Sequence, residues 1–341
     1  MGGNGVGGKK RVLIVGGGPA GATTGRYLAR YKKYEIILLQ WRLDFDKPCG
    51  GGVKYRLFSE FDIPEEPIFK KIDRVKLNFQ GEEIEVNLGG PKLALVERRR
   101  FDALLRQLAE EEGVKIVEGR VRRVNSHRGK FTLEVERGEE RELITGDILV
   151  GADGVNSTIR KLLLKERLPM VTTCYGTIST PVEVPTFYFD REVGGSFYSW
   201  AFPHPTGGHI GSPSPALFRR FVKEYFSPFH SPVKGYNIPL WNGNISIQKG
   251  NLFFVGDAGG QVMPTTFEGI YYAVASGRLL ARGLGEGLSY PTLWQNRFLR
   301  EFKFMKMVEK GLNSRFRYRL LSLFRWHWYQ KLVVKIWNKE F

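Results

Sequence analysis

The fold is decided near the N-terminus by the stretch Arg11-Val-Leu-Ile-Val-Gly-Gly-Gly-Pro-Ala-Gly21. Its first five residues form a short apolar run, which is typical of a parallel strand buried on both faces. The glycines that follow have the spacing G-x-G-x-x-G and lead into residues 22–31, whose composition predicts a helix, before a second apolar run at residues 35–39. A strand, glycine turn, helix and strand within about 30 residues predict a βαβ unit. Because such a turn and the helix N-terminus attract a pyrophosphate, we expect this unit to bind a dinucleotide.

The end of the second apolar run departs from the usual dinucleotide pattern. An acidic residue is expected there to bind a ribose hydroxyl, whereas this chain has Gln40, followed by Trp41 and Arg42. An amide can still bind a hydroxyl, although without the strength of a charged acceptor. An arginine at this point can instead accommodate the 2′-phosphate of NADP. The first βαβ unit alone therefore leaves both FAD and NADP open.

Two later segments favour FAD. Residues 151–160, Gly-Ala-Asp-Gly-Val-Asn-Ser-Thr-Ile-Arg, follow an apolar strand and resemble the "DG" motif of flavoproteins of the glutathione-reductase and hydroxylase group. Residues 251–260, Asn-Leu-Phe-Phe-Val-Gly-Asp-Ala-Gly-Gly, resemble their second flavin motif, in which Asp257 accepts hydrogen bonds from the ribityl chain. After Pro264, a helix opening at Glu268-Gly-Ile would stabilise the negative charge of a reduced flavin.

Composition limits the classes of protein and partner. A chain of 341 residues with 42% hydrophobic residues is long enough for two domains and excludes a disordered protein. The net charge of +17 requires an anionic partner, and nucleic acid, an acidic membrane surface and a phosphorylated substrate are all open at this point. Two cysteines, Cys49 and Cys174, cannot form a disulfide framework or a structural zinc site, so we expect a reducing, cytoplasmic compartment and no metal. We expect neither a signal peptide nor a membrane-spanning segment.

The chain is expected to be α/β, with a Rossmann-like dinucleotide-binding domain, an inserted antiparallel β-sheet domain and a C-terminal helical tail. Alternating residues on both sides of Gln80-Gly81 predict a β-hairpin, and residues 170–247, rich in Pro, Gly, aromatic and β-branched residues, predict the inserted β domain. The predicted divisions are residues 9–70, 96–169 and 249–290 for the dinucleotide-binding domain, 71–95 for the hairpin, 170–248 for the β-sheet domain, and 291–341 for the tail.

Four further segments sharpen the resemblance to the geranylgeranyl reductase family. Residues 46–53, Asp-Lys-Pro-Cys-Gly-Gly-Gly-Val, resemble the cysteine–glycine loop of that family. Residues 198–203, Tyr-Ser-Trp-Ala-Phe-Pro, resemble its Y-x-W-x-F-P substrate-domain motif, and residues 268–278 resemble its flavin-proximal helix. Residues 96–105, which include Arg98, match the segment whose arginine contacts FAD. The likeness covers about residues 12–284.

The resemblance implies a fold like p-hydroxybenzoate hydroxylase, with FAD held between the Rossmann-like domain and the β-sheet domain. The implied FAD contacts are Pro19, Gln40, Cys49, Gly50, Gly52, Arg98, Val121, Asp257, Gly269 and Ile270. The motifs add Gly16, Gly18, Ala20, Gly21, Asp153, Gly256 and Pro264 to the predicted FAD site. The family reduces isolated C=C bonds of isoprenoid chains, so the implied substrates are isoprenoid lipids or prenyl diphosphates.

The aromatic motif also has a meaning of its own. On a strand, Tyr198, Trp200 and Phe202 share one face, which makes an apolar wall suited to a prenyl chain; the alternative is ordinary core packing. With Pro203, these residues form the predicted substrate site. Tyr198 and Cys49 are the candidate catalytic proton donors by position, although Cys49 could instead only position the flavin.

The tail is basic and aromatic. From Glu301 onward it has ten Lys or Arg and three Glu, and seven aromatic residues are interleaved with them between Phe316 and Trp337. This pattern is typical of a helix that lies on an anionic membrane surface, and we expect Arg315, Arg317 and Arg319 to face that surface. The alternative is a helix that packs one face on the core. No base-reading module is visible, so nucleic acid is not expected as a partner.

These observations predict an FAD-dependent reductase of isoprenoid double bonds. No second G-x-G-x-x-G follows a strand, so the external reductant is open between NAD(P)H and an electron-carrier protein. One rival is a flavin-dependent monooxygenase or halogenase of the same fold. A second rival is a non-catalytic flavoprotein that binds prenylated molecules.

Overall fold

The glycine motif belongs to a six-stranded sheet in the computed structural model, which describes residues 8–338. The strands of this sheet are β1 (Lys10–Val15), β2 (Tyr34–Gln40), β8 (Lys115–Glu118), β12 (Ile148–Gly151), β18 (Gln248–Lys249) and β19 (Leu252–Phe254). Their spatial order is β18-β19-β12-β1-β2-β8. β1 pairs in parallel with β2 and β12, and β12 pairs in parallel with β19. The carboxyl ends of these strands therefore meet at one edge, as the predicted Rossmann-like domain requires.

Both faces of this sheet are covered, which explains why its strands are continuously apolar. One face carries the helices α1 (Pro19–Ala29), α3 (Arg98–Glu111), α7 (Ile270–Glu286) and α8 (Tyr290–Leu312). The other face carries α4 (Thr158–Leu164) and a small sheet of β9 (Arg120–His127), β10 (Lys130–Arg137) and β11 (Glu140–Gly146). Val12 and Ile14 face the helices, whereas Leu13 and Val15 face the small sheet. The period of two along β1 thus divides the core into two layers.

A second large sheet has seven strands, which are β5 (Arg74–Phe79), β6 (Glu82–Asn87), β13 (Met170–Ile178), β14 (Thr186–Tyr188), β15 (Ser199–His204), β16 (Gly207–Ser212) and β17 (Lys234–Pro239). Their spatial order is β17-β13-β16-β15-β14-β5-β6. The predicted hairpin therefore shares one sheet with the inserted β segment, and these strands are antiparallel except where β5 pairs in parallel with β14. The short helix α5 (Arg191–Gly194) and α6 (Pro215–Tyr225) complete this layer. The expected α/β fold with an inserted β-sheet domain is confirmed, while the residue boundaries of the domains stay a prediction.

A three-stranded sheet and one short helix connect the two large sheets. The strands are β3 (Gly52–Lys54), β4 (Ile68–Ile72) and β7 (Leu93–Val96), and the helix is α2 (Arg56–Glu60). β3 continues directly from the cysteine–glycine loop and pairs with β7. That loop is therefore fixed between the two large sheets.

The tail is helical, as predicted, and one face of it packs on the rest of the molecule. It contains α9 (Arg317–Ser322) and α10 (His327–Asn338), and residues 339–341 of the predicted tail lie outside the described residues. The expectation that Arg317 faces a membrane is wrong, because it is 1% exposed and its guanidinium donates to the carbonyl oxygens of Gly195, at 2.6 Å, and Phe197. Within residues 8–338, no helix is both long and apolar enough to cross a bilayer.

Candidate active site

The glycine turn after β1 combines two close contacts with one open position. Gly16 has φ +108°, and a Cβ there would lie 2.2 Å from the Ala152 carbonyl oxygen. A Cβ on Gly21 would lie 1.9 Å from the Gly16 carbonyl oxygen. Gly18 differs, because a Cβ there would meet no atom within 4 Å, and no side chain caps the first turn of α1 at this residue. The open space beside Gly18, next to the N–H groups that begin with Ala20 behind Pro19, fits a pyrophosphate.

Gln40 stabilises this turn. Its side chain is 7% exposed, its Oε1 accepts the Gly17 N–H at 2.7 Å, and its Nε2 donates to the Arg42 carbonyl oxygen at 2.9 Å. The amide is therefore used within the loop, a role that sequence reasoning missed, and its predicted ribose contact stays a prediction. The Arg42 guanidinium pairs with Asp44 at 2.7 Å, so the arginine that raised the NADP alternative already has a carboxylate partner.

The three motifs meet at the carboxyl ends of β1, β12 and β19. Asp153 follows β12, and its Oδ2 accepts the Ile159 N–H at 3.1 Å, which holds the start of α4. Burial raises the pKa of Asp153 above its ordinary value. Gly256 follows β19, where a Cβ would lie 2.8 Å from the Ala20 Cβ. This close approach places the second flavin motif directly against α1.

Asp257 has a cationic partner that sequence reasoning did not identify. Lys47 Nζ lies 2.7 Å from Asp257 Oδ2, and the same ammonium lies 4.8 Å from the centroid of the Tyr236 ring. Burial alone would lower the pKa of Lys47, but the Asp257 carboxylate and the Tyr236 hydroxyl together outweigh burial and raise that pKa. Lys47 belongs to the quoted cysteine–glycine segment, so its proximity in sequence to Cys49 is the signal that could have found it. Lys47 connects this loop to the residue expected to bind the ribityl chain.

The N-terminus of α7 lies beside this ion pair. A Cβ on Gly269 would lie 3.3 Å from Asp257 Oδ1, and neither a side-chain cap nor an acidic residue occupies the first turn that begins at Ile270. Its N–H groups therefore present positive partial charge, as a reduced flavin requires. Pro264 is buried at the start of the preceding loop, and Thr265 and Phe267 in that loop have φ of +74° and +55°. Such backbone conformations in residues other than glycine are strained and are frequent at functional sites.

Cys49 lies next to Arg98. The Cys49 thiol accepts the Gly51 N–H at 3.4 Å. The Arg98 guanidinium faces the thiol and donates to both carboxylate oxygens of Asp102 at 3.0–3.3 Å. Arg98 is 6% exposed; burial lowers its pKa, but the Asp102 carboxylate and the Cys49 sulfur together outweigh burial and raise that pKa, so the guanidinium is held charged beside Cys49. Val121, by contrast, belongs to β9 and packs in the core layer between the small sheet and the six-stranded sheet. FAD contacts by Arg98 and Val121 stay predictions.

The cysteine–glycine loop lies against the aromatic strand. A Cβ on Gly50 would lie 3.0 Å from a Phe202 ring carbon and 3.3 Å from the Trp200 indole nitrogen. A Cβ on Gly52 would lie 3.1 Å from the same Phe202 ring. Glycine at both positions lets the loop contact the rings directly. The structure thus brings the loop that was predicted to hold flavin to the wall that was predicted to hold substrate.

The wall itself is formed as the period of two predicts. Tyr198, Trp200 and Phe202 lie in one apolar cluster and are 7–9% exposed. The Tyr198 hydroxyl donates to the Thr266 carbonyl oxygen at 2.6 Å. Its pKa is raised, mainly by burial and further by the Glu268 carboxylate, so the phenol keeps its proton. Pro203 lies apart from the wall and lines a surface cavity of about 540 Å³ with His204.

Comparisons with known proteins show the family of this chain. A family model described as an FAD binding domain matches residues 9–224. Geranylgeranyl diphosphate reductase of Rhodobacter capsulatus is 30% identical over 299 residues, which cover 80% of this chain and 74% of the relative. Digeranylgeranylglycerophospholipid reductase of Thermoplasma acidophilum is 26% identical over 310 residues, which cover 81% of this chain and 78% of the relative.

A solved structure supports the fold. The crystal structure of a geranylgeranyl bacteriochlorophyll reductase-like protein from Thermoplasma acidophilum matches with a TM-score of 0.78 at 22% identity. The match covers 90% of this chain and 89% of that one. The sequence matches show that the chain belongs to the FAD-dependent geranylgeranyl reductase family.

Proposed function

We propose that this protein is an FAD-dependent oxidoreductase that reduces C=C bonds of an isoprenoid chain. The observation that carries the proposal is the contact of Gly50 and Gly52 with Phe202 and Trp200, because it joins the cofactor loop to an apolar aromatic wall. The relatives named as reductases of geranylgeranyl groups support the same substrate class. An isoprenoid lipid or a prenyl diphosphate fits it.

The residues of this chain bind, orient and exclude water. Bound FAD, once reduced by the external reductant, would supply the hydride for one alkene carbon, and a proton must reach the other carbon. An isolated alkene develops no oxyanion, so catalysis depends on positioning and on a dry site, which the buried wall provides. Tyr198 and Cys49 are the candidate proton donors. The Tyr198 hydroxyl donates a hydrogen bond to the Thr266 carbonyl oxygen, with 2.6 Å between the two oxygens. The external reductant is NAD(P)H or an electron-carrier protein.

An anionic membrane surface is the proposed partner of the tail, with the enzyme in the cytoplasm and peripheral to the membrane. Met307, Trp326 and Trp328 are 60–67% exposed, which is unusual for such large apolar side chains. The Arg315 and Arg319 guanidinium carbons lie 4.9 and 5.9 Å from the centroid of the exposed Phe316 ring. Exposed apolar rings beside basic residues suit the interface of an anionic bilayer.

The proposal is tested by anaerobic reoxidation of the reduced flavin. Protein reduced with dithionite is mixed with geranylgeranyl diphosphate, a geranylgeranyl glycerolipid or buffer, and the oxidised flavin spectrum is followed without oxygen. We expect reoxidation only with an isoprenoid that contains double bonds. No reoxidation until oxygen is admitted, followed by a C4a-hydroperoxide spectrum, would instead support a monooxygenase or halogenase. Binding of the isoprenoid without reoxidation would support a non-catalytic prenyl-binding flavoprotein.

A further inference from the structure

A buried polar cluster lies between the flavin-proximal loop and the tail. Glu268 directly precedes Gly269, and its Oε1 accepts the Trp337 indole N–H at 2.8 Å. Its Oε2 lies 3.5 Å from the Nζ of Lys54, a lysine that is 1% exposed. Burial raises the pKa of Glu268, and the Lys54 ammonium opposes that change. This carboxyl therefore uses both oxygens on groups of other elements.

Lys54 is the centre of the cluster. Its ammonium lies 4.0 Å from the Glu301 carboxylate and 5.4–5.5 Å from the ring centroids of Tyr271, Tyr272 and Trp337. The Tyr272 hydroxyl donates to Glu301 Oε1 at 2.7 Å. A buried lysine with two carboxylates and three aromatic faces holds its surroundings in one arrangement.

Lys54 and a second cation, Arg56, hold the end of α10. Lys54 Nζ donates to the Trp337 carbonyl oxygen at 2.8 Å, and Arg56 donates to the Asn338 carbonyl oxygen at 2.7 Å. The last carbonyls of a helix lack partners within the helix and carry negative partial charge. Two cations from β3 and α2 satisfy them here, which fixes the position of the C-terminal end of α10.

That position places α10 against the apolar cluster that contains the aromatic wall. Val334 is buried in the same apolar cluster as Tyr198, Trp200 and Phe202, and Trp337 packs against this cluster. Leu332 lies on another side of the helix and is 43% exposed. The inward face of α10 therefore belongs to the same apolar cluster as the wall on which the isoprenoid chain is proposed to bind.

We propose that Val334 and Trp337 form a further wall of the isoprenoid site, and that Glu268 is a positioning residue that holds this wall through the Trp337 indole. The proposal rests on the proposed function of the aromatic site. In this proposal, α10 contacts the part of the isoprenoid that lies farther from the flavin. Loss of the Glu268–Trp337 hydrogen bond should therefore weaken the binding of long isoprenoids more than it slows their reduction.

The test compares Trp337→Phe and Trp337→Ala with Leu332→Ala, which removes an exposed apolar side chain from the same helix. Flavin content and thermal stability are measured first, and then KM and kcat for a geranylgeranyl substrate. We expect Trp337→Phe to raise KM about tenfold, equivalent to about 1.4 kcal/mol, with kcat nearly unchanged. Leu332→Ala should match the wild type. Equal KM for all variants, or a parallel loss of kcat, would refute the proposal.

Two further measurements separate failure of the α10 wall from failure of the reductase function. Glu268→Gln retains an acceptor for the indole N–H, so it should raise KM less than Glu268→Leu does. Titration with a saturated isoprenoid alcohol measures binding without turnover. Wild-type protein that binds this alcohol more tightly than Trp337→Ala, yet reduces no isoprenoid, would overturn the reductase function and support the α10 wall. Wild-type protein that reduces isoprenoids with no effect of Trp337→Phe, Trp337→Ala or Glu268→Leu would overturn only the α10 wall.

Discussion

Replacing Gly18 by alanine should separate cofactor binding from folding. Gly18 has φ −78° and ψ −171°, which alanine adopts freely, and its Cβ would meet no protein atom within 4 Å. Alanine is a poorer N-cap than glycine, but it also lowers the entropy of the unfolded chain. These effects oppose each other, so the free energy of unfolding of the flavin-free protein should change by less than about 1 kcal/mol. The added methyl group instead occupies the space assigned to the pyrophosphate.

The assay is urea denaturation of the flavin-free protein together with a titration with FAD. We expect Gly18→Ala to weaken FAD binding at least about tenfold, or about 1.4 kcal/mol. Gly8→Ala is the matched control, since its Cβ would also meet no atom within 4 Å but it lies before β1. Gly21→Ala should behave in the opposite way and destabilise the fold by about 3 kcal/mol or more, because its Cβ would lie 1.9 Å from a backbone oxygen. Wild-type FAD affinity in Gly18→Ala would refute this account of the turn.

Three other changes test separate parts of the structure. Asp257→Ala should remove FAD, which flavin absorbance measures, and it leaves the Lys47 ammonium without its carboxylate partner. Restoration of FAD binding in Asp257→Asn but not in Asp257→Leu would show that a hydrogen-bond acceptor is needed. Joint replacement of Arg315 and Arg319 by Gln should weaken flotation with anionic vesicles, whereas the exposed pair Arg123 and Arg141, changed in the same way, should not; equal flotation of both variants would leave the tail as a packing element. His209 has its pKa lowered to about 4 by burial and by His204, so its contribution to stability is present above pH 6.5 and is lost as the pH falls through about 4. His209→Gln should therefore lose less stability than the wild type over this range in denaturation measurements, and parallel pH profiles would contradict the effect.

The sequence predicts those parts of the fold that depend on local pattern. The apolar runs, the glycine spacing and the order of the flavin motifs predict β1, α1, β2 and the strand ends that meet at Asp257. The structure adds that Leu13 and Ile14 face opposite core layers, as the alternation on a parallel strand requires. Helix α6 is a missed signal, since Ser214 caps it and Pro215 opens it.

The contacts that complete the site are long-range and have no local pattern. Lys47 and Asp257 are 210 residues apart, and Glu268 and Trp337 are 69 residues apart. Nothing near Arg317 in sequence shows that its guanidinium is buried and donates to two carbonyl oxygens of the β-sheet layer. The basic run therefore predicts uniform exposure, although the fold divides its side chains between packed and surface positions. The sequence likewise predicts a ribose contact for Gln40 and misses its hydrogen bond to Gly17, because that bond depends on the geometry of the glycine turn.

The most direct test of the central claim is mass spectrometry of the isoprenoid after incubation with the reduced FAD-loaded protein. The account predicts that a geranylgeranyl substrate gains two hydrogens per reduced double bond, and that both are deuterium when the flavin is reduced in heavy water, because the flavin N–H and the proton donor both exchange with solvent. Gain of an oxygen or a halogen, or recovery of an unchanged isoprenoid from a fully flavin-loaded protein, would contradict it.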